Sequence, residues 1–352
     1  MLNKIVVPTG YMGSGSSAIT DLLQEVDNYI APNDNFEYVF LHCPDGLFDL
    51  EDKLLISNNS FRSDEALHSF VSCMEDLYRK KHYWVADYES KISPDFICWV
   101  NDFVNSIIDY RTTDFYWYYQ ENPNLLIYIY QAFCKIVRVM TNNNVILKKK
   151  LRYQEMLLSF TDSDRFYSSA RTFIKKFFVE LGLDNNNLIL DQFLLPHNLF
   201  RFKNYFDENV RFIVVERDPR DVFLLNKYYW KKVGVPLPYP LEVEQFCDFY
   251  KKMRVLEKKV KSESILRIRF EDLIYIYEET VDVIFNFLDI DGNCHSRKMK
   301  YLNPNKSITN TQIFNNPLYL KEANFIEKKL PEYLYNFPYS LSRNLEKTDL
   351  IL

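Results

Sequence analysis

The sequence predicts an α/β fold, doubly wound about a mainly parallel sheet of roughly five strands, with a large helical insertion. Three observations predict it. A short apolar run at residues 5–7 passes through a glycine-rich turn into an amphipathic helix. From residue 188 onward, short apolar runs again alternate with helical patterns. Between them, from about residue 60 to 185, the periodicity is helical.

Taken in order, Ile5-Val6-Val7 reads as the first strand, and residues 16–25 as a helix with Ile19, Leu22 and Leu23 on one face. Residues 37–41 read as a second strand. Ser63-Asp64-Glu65 and Ser93-Pro94 open helices, and Gly182 closes the helical block as a C-cap. Strands then follow at 188–191, 210–215 and 265–270, with helices from Pro219, over 241–260 and over 277–288. In the last, Val281, Ile284, Phe285 and Leu288 are spaced for burial. With no repeat or low-complexity linker, residues 1–352 read as one domain, and 60–185 as an insertion suited to holding an acceptor.

Composition excludes several classes. Hydrophobic residues are 47% and charged residues 26%, ordinary for a folded chain. A net charge of −5 gives no basic field to recruit nucleic acid, so an anion site must be a local pocket. The N-terminal apolar run is too short for a signal peptide, and the richest apolar run, residues 125–134, contains Gln131 and is too short to span a bilayer. Six cysteines without CxxC pairs and five scattered histidines predict no metal and a reducing, cytoplasmic location. Glycine is scarce, 7 in 352 residues, yet Gly10, Gly13 and Gly15 fall within six positions.

That loop, Gly10-Tyr11-Met12-Gly13-Ser14-Gly15-Ser16-Ser17, has G-x4-G spacing with Ser16 where a Walker A motif places lysine, so the fold reads as P-loop-like. Backbone N–H groups at a helix N-terminus make an anion cradle without the lysine. The second chemical segment is Arg217-Asp218-Pro219-Arg220-Asp221-Val222, delivered by an apolar strand to the sheet's C-terminal edge. There a guanidinium either forks onto a phosphate or pairs with a neighbouring aspartate.

Arg217-Asp218-Pro219-Arg220-Asp221-Val222 resembles the 3′-phosphate-binding segment of sulfotransferases that use 3′-phosphoadenosine 5′-phosphosulfate (PAPS). Arg269-Phe270-Glu271-Asp272-Leu273 resembles that family's later strand and helix, and Ser14-Gly15-Ser16-Ser17 is similar to its 5′-phosphosulfate loop. The resemblance implies PAPS as donor, no metal, and sulfuryl transfer to a hydroxyl of a carbohydrate or glycoconjugate. It implies that Gly13, Ser14, Gly15, Ser16, Ser17 and Ala18 hold the phosphosulfate while Arg217 holds the 3′-phosphate. Lys306 lies where the family has a basic closing loop, and Arg62 is a second cation for the sulfate end. The chain departs from the family at Gly13, where a lysine or arginine is usual, and at Leu225, where a serine is usual; Asn226 and Lys227 are the adjacent polar residues.

Glu37, followed by Tyr38-Val39-Phe40, resembles the glutamate base of carbohydrate sulfotransferases, and Asp191 at a strand end is the other candidate base. His197 reads as a helix-start residue, Tyr116-Trp117-Tyr118-Tyr119 as core or a sugar-stacking face, and Lys148-Lys149-Lys150 and Arg79-Lys80-Lys81 as solvated helix ends. A P-loop kinase or nucleotide hydrolase and a non-catalytic nucleotide-binding protein are the competing readings.

Overall fold

The computed structural model describes residues 3–34, 36–81, 84–113, 125–147, 155–234, 237 and 239–342. In chain order the strands and longer helices are β1 (Lys4–Gly10), α1 (Ser17–Gln24), β2 (Tyr29–Ile30), α2 (Ser60–Arg79), α3 (Phe96–Ile107), β3 (Tyr110–Thr112), α4 (Leu125–Met140), β4 (Met156–Leu158), α5 (Ser163–Glu180), β5 (Asn187–Ile189), β6 (Asn209–Glu216), α6 (Pro219–Leu224), α7 (Val243–Val255), β7 (Ile265–Arg269), α8 (Tyr277–Leu288) and α9 (Leu320–Lys329). Five strands make one sheet in the order β2-β5-β1-β6-β7, each neighbouring pair parallel. This is the P-loop-like α/β architecture, and the fully buried β1 stands at its centre.

Alternation along the strands feeds two cores. Val6, Ile213, Val215 and Ile268 pack with Ile19, Leu22 and Leu23 of α1 and Val281, Ile284 and Leu288 of α8. Ile5, Val7, Phe212 and Val214 face the other way, into a core shared with Phe70 of α2, Phe96 of α3, and Phe173 and Phe177 of α5. Glu25, fully buried beyond α1, accepts hydrogen bonds from the N–H groups of Met299, Tyr301 and Leu302 at 3.0, 2.7 and 2.9 Å. One carboxylate thereby fixes the segment that runs on to Lys306.

Three expectations need correction. Residues 37–41 form no strand. The N–H of Val39 donates to the Tyr88 hydroxyl at 2.9 Å, and the Val39 carbonyl accepts from His42 and Cys43. The apolar run is buried by aromatic packing instead: Phe40 is 0% exposed among Tyr88, Phe96, Phe173, Phe177 and Phe193. The helical block also contains a small antiparallel pair, β3 with β4. Its three-residue strands are too short to show a period, and the Asp64 carboxylate holds them by accepting the Leu157 N–H at 2.6 Å. Helix α2 begins at Ser60, earlier than Ser63, because Asn59 caps it by accepting from the N–H of Phe61 and of Arg62. Gly182, at φ +99°, follows α5 as read.

Removing the Phe40 ring opens a cavity between sheet and insertion, so Phe40→Ala should lower stability by about 3–5 kcal/mol. Urea unfolding measures this; a loss under about 1 kcal/mol would show that the cluster is not part of the cooperative core.

Candidate functional site

The glycine loop joins β1 to α1 at the C-terminal edge of the central strand. Gly13 and Gly15 have φ of +80° and +87°, where a side chain is strained. Gly10 is needed for space, since a Cβ there would lie 2.7 Å from the Val215 carbonyl oxygen. Inside the loop, the N–H of Ser14 donates to Tyr11 O at 2.8 Å and that of Ala18 to Gly15 O at 3.1 Å. Among the described residues, the N–H groups of Gly13, Gly15, Ser16 and Ser17 have no protein acceptor. Four donors therefore converge at the start of α1, and two of the six expected positions are spent on the loop itself. Tyr11 anchors the near side. Its hydroxyl donates to Glu257, and the Arg254 guanidinium lies 3.9 Å from its ring centroid.

Beside the Ser16 end of the loop stands the first of the two candidate carboxyls. Asp191 is buried at the end of β5, with one carboxylate oxygen lacking a hydrogen-bond partner. Burial pushes it up to about 7, although the Ser16 hydroxyl and the Gln192 N–H pull it down. Burial, and then the charge of Asp191, push Glu37 up to about 7 as well. The structure thus sets Asp191 beside Ser16 and brings Glu37 close enough to feel the Asp191 charge. Gln192, with φ +55°, ties this corner together. Its amide nitrogen donates to Ser16 Oγ at 3.0 Å, its amide oxygen accepts from Thr9 at 3.2 Å, and its main-chain carbonyl accepts from His42 Nε2 at 3.0 Å. A carbonyl only accepts, so His42 carries a proton on Nε2. The sequence points to Asp191-Gln192 at the strand end but not to these contacts of Gln192, whose partners are distant in the chain.

Arg217 arrives from β6 and meets the loop from the other side. One Nη donates to Gly13 O at 3.2 Å and the other to Asn310 O at 2.5 Å, while its Nε has no partner. It is 5% exposed, its guanidinium carbon lies 4.5 Å from the Phe270 ring centroid, and burial lowers its pKa. Among the described residues no carboxylate comes within ion-pairing distance of it. Arg220 is different: it grips Asp218 through Nε at 3.0 Å and Nη at 2.8 Å. The ion-pair reading therefore holds for Arg220, and Arg217 remains the buried cation facing the loop.

The two departures, at Gly13 and Leu225, involve the same helix. Residues Leu225–Trp230 continue α6 as a π turn. Leu225 is buried in the core, while Val222 and Asn226, one helical turn apart, face Gly13; the Asn226 amide nitrogen donates to the Val222 carbonyl at 2.8 Å and lies 3.2 Å from where a Gly13 Cβ would sit. Lys227 turns away to Glu322, at 2.7 Å. Lys306 is exposed in the turn Pro304–Ser307, on the same loop as Asn310, and Arg62 is exposed in the first turn of α2. His197 sits at the start of the 3-10 turn Pro196–Arg201, against Tyr11. Arg79 ends α2, whereas Tyr116-Trp117-Tyr118-Tyr119 and Lys148-Lys149-Lys150 lie outside the described residues.

No protein-family model matches the sequence, and no curated protein matches it. Among solved structures the chain is similar to the sulfotransferase domain from the curacin biosynthetic pathway, at 12% identity and a TM-score of 0.37 over 95% of this chain and 98% of that one. It is similar to the sulfotransferase domain of the Synechococcus PCC 7002 olefin synthase at 15% identity and a TM-score of 0.36, covering 96% and 90% of the two chains. The sulfotransferase STF9 of Mycobacterium avium gives 10% identity and a TM-score of 0.36, covering 97% and 78%.

Glu37 and Asp191 both titrate higher folded than unfolded, so the folded state holds extra protons between their ordinary values, 4.5 and 3.8, and about 7. Their contribution is fully present below about pH 4 and is lost as pH rises through 7. Glu37→Gln and Asp191→Asn should each flatten the fall of the urea midpoint between about pH 5 and pH 8. An unchanged slope in both variants would place the protons elsewhere.

Proposed function

We propose that the protein is a sulfotransferase that moves a sulfuryl group from PAPS to a hydroxyl of a carbohydrate or glycoconjugate, by in-line transfer without a metal. The observation that carries this reading is the contact between Arg217 and the carbonyl of Gly13. Two anion-binding segments 204 residues apart meet at one place. One offers unpartnered backbone donors and the other a buried guanidinium without a contacting carboxylate.

In this reading the N–H groups of Gly13, Gly15, Ser16 and Ser17 hold the 5′-phosphosulfate, with the Ser14 and Ala18 positions shaping the cradle. Arg217 holds the 3′-phosphate and Lys306 closes over it. The acceptor hydroxyl gives its proton to Glu37, its oxygen bonds to sulfur, and the bond from sulfur to the phosphate oxygen breaks. Glu37 near 7 is matched to this task, because a base works best close to the ambient pH. Asp191 raises Glu37 by its charge and is the alternative base. The charge that grows on the leaving phosphate oxygen meets preorganised backbone donors, each such donor contributing roughly 2.7–4 kcal/mol in comparable sites. The Asn226 amide nitrogen, beside Gly13, gives one N–H to the Val222 carbonyl and offers its second as a neutral donor where related enzymes keep a cation. The helical segment 60–185, as an insertion within a single domain, would bind the acceptor.

One observation favours a second reading, a P-loop kinase or nucleotide hydrolase. The unpartnered Asp191 oxygen beside Ser16 resembles the serine and aspartate that hold magnesium in such enzymes. Magnesium-dependent ATP turnover, with no transfer from PAPS, would establish it.

Calorimetry with adenosine 3′,5′-bisphosphate tests the donor site. Binding should be measurable, and Arg217→Ala should weaken it by about 1.5–3 kcal/mol. Failure of the parent protein to bind refutes the reading. Glu37→Gln should preserve that binding and remove most transfer, and the rate of the parent should rise with pH through about 7. Unchanged turnover in Glu37→Gln moves the base to Asp191.

A further inference from the structure

Helix α4 departs from every other long helix in the fold: none of its sixteen residues is buried. Its sequence is nonetheless largely apolar, Leu125-Leu126-Ile127-Tyr128-Ile129-Tyr130-Gln131-Ala132-Phe133-Cys134-Lys135-Ile136-Val137-Arg138-Val139-Met140. Leu126, Ile129, Phe133, Ile136, Val139 and Met140 are between 54% and 81% exposed. At 100° per residue these six, with Leu125 and Tyr128, cover an arc of about 160°. Lys135 borders that arc, and Arg138 lies about 80° beyond it on the same side. After the helix the chain turns at Asn142 and Asn143, and Ile146 is again 75% exposed. Apolar area of this extent on a folded chain marks a surface that something covers.

Charge identifies the cover. From residue 122 to 154 there is no aspartate or glutamate, while Lys135, Arg138, Lys148, Lys149, Lys150 and Arg152 fall within it, in a chain whose net charge is −5. We propose that α4 is an interfacial helix that lays its apolar face into a bilayer containing anionic phospholipid, with the adjacent cations on the headgroups. A wide apolar face bordered by lysine and arginine is the pattern of a helix lying in the membrane plane. Long cationic side chains at its edge reach the headgroups while their stems stay apolar. The helix lies flat rather than crossing: sixteen residues rise about 24 Å, less than the roughly 30 Å hydrocarbon thickness. Among the described residues no helix is long and apolar enough to cross a membrane. A second copy of the chain is a poorer cover, because a two-fold contact would bring the same cations face to face.

Flotation of the full chain with vesicles tests the proposal. The protein should float with vesicles of phosphatidylcholine mixed with phosphatidylglycerol, stay behind with phosphatidylcholine alone, and be released by salt. Phe133→Glu with Ile136→Glu should abolish flotation, and Lys135→Ala should weaken it roughly fivefold. All three substitutions alter exposed positions, so the thermal midpoint should be unchanged in both variants. Absence of flotation with the mixed vesicles, or flotation that the double variant leaves intact, overturns the proposal. So does a lipid-free dimer that the double variant dissolves, which would assign the face to a second copy.

Discussion

The wedge of Phe270 between Gly15 and Arg217 is the constraint on which the candidate site depends. A Cβ on Gly15 would come within 2.7 Å of the Phe270 ring, so the loop can pass only as bare backbone. On the same ring rests the Arg217 guanidinium, which reaches across to the Gly13 carbonyl. The ring holds the cation by its electron-rich face and at the same time shapes the donor loop. Anion donors and buried cation are thus set against each other by one apolar side chain, delivered directly after β7.

Around Arg217 the acids are kept occupied. Asp218 accepts from the N–H of Arg220 and of Tyr335, Asp221 from those of Gln312 and Ile313, and Glu271 from that of Asp218. Their charges reach the guanidinium through space without an ion pair closing on it. Burial raises Asp221 and Glu271 to about 7, and each remains tied to backbone by hydrogen bonds. A guanidinium in this setting stays charged and keeps its Nε unspent. The arrangement favours an anionic group, which offers the charged hydrogen bonds that backbone carbonyls cannot match.

What could be read from the sequence was local. Strand β1, its loop and α1 are announced by an apolar run, three glycines and a 3.6-residue period, and α8 was read with its observed bounds. Arg217 and its motif were legible for the same reason. Residues 37–41 were not, because an apolar run buried by rings from α3 and α5 resembles a strand until those rings are in place. Asn226 was legible only as a polar neighbour of Leu225: its approach to Gly13, one helical turn after Val222 on the same face, exists only once α6 packs against the glycine loop. Gln192 draws its importance from three partners distant in sequence, at Thr9, Ser16 and His42.

The buried Glu25 has a mechanical meaning once these contacts are joined. Helix α1 begins at the glycine loop and leads into Glu25, which grips residues 299–302; that segment continues to Asn310, whose carbonyl holds Arg217, and Arg217 holds Gly13. The path closes on itself like a hoop, with a helix as its rigid member. Loosening at any one joint is opposed by all the others. Opening of the hoop is therefore collective, so backbone hydrogens at its far side should exchange with solvent in step with those of the loop, although neither region touches the other.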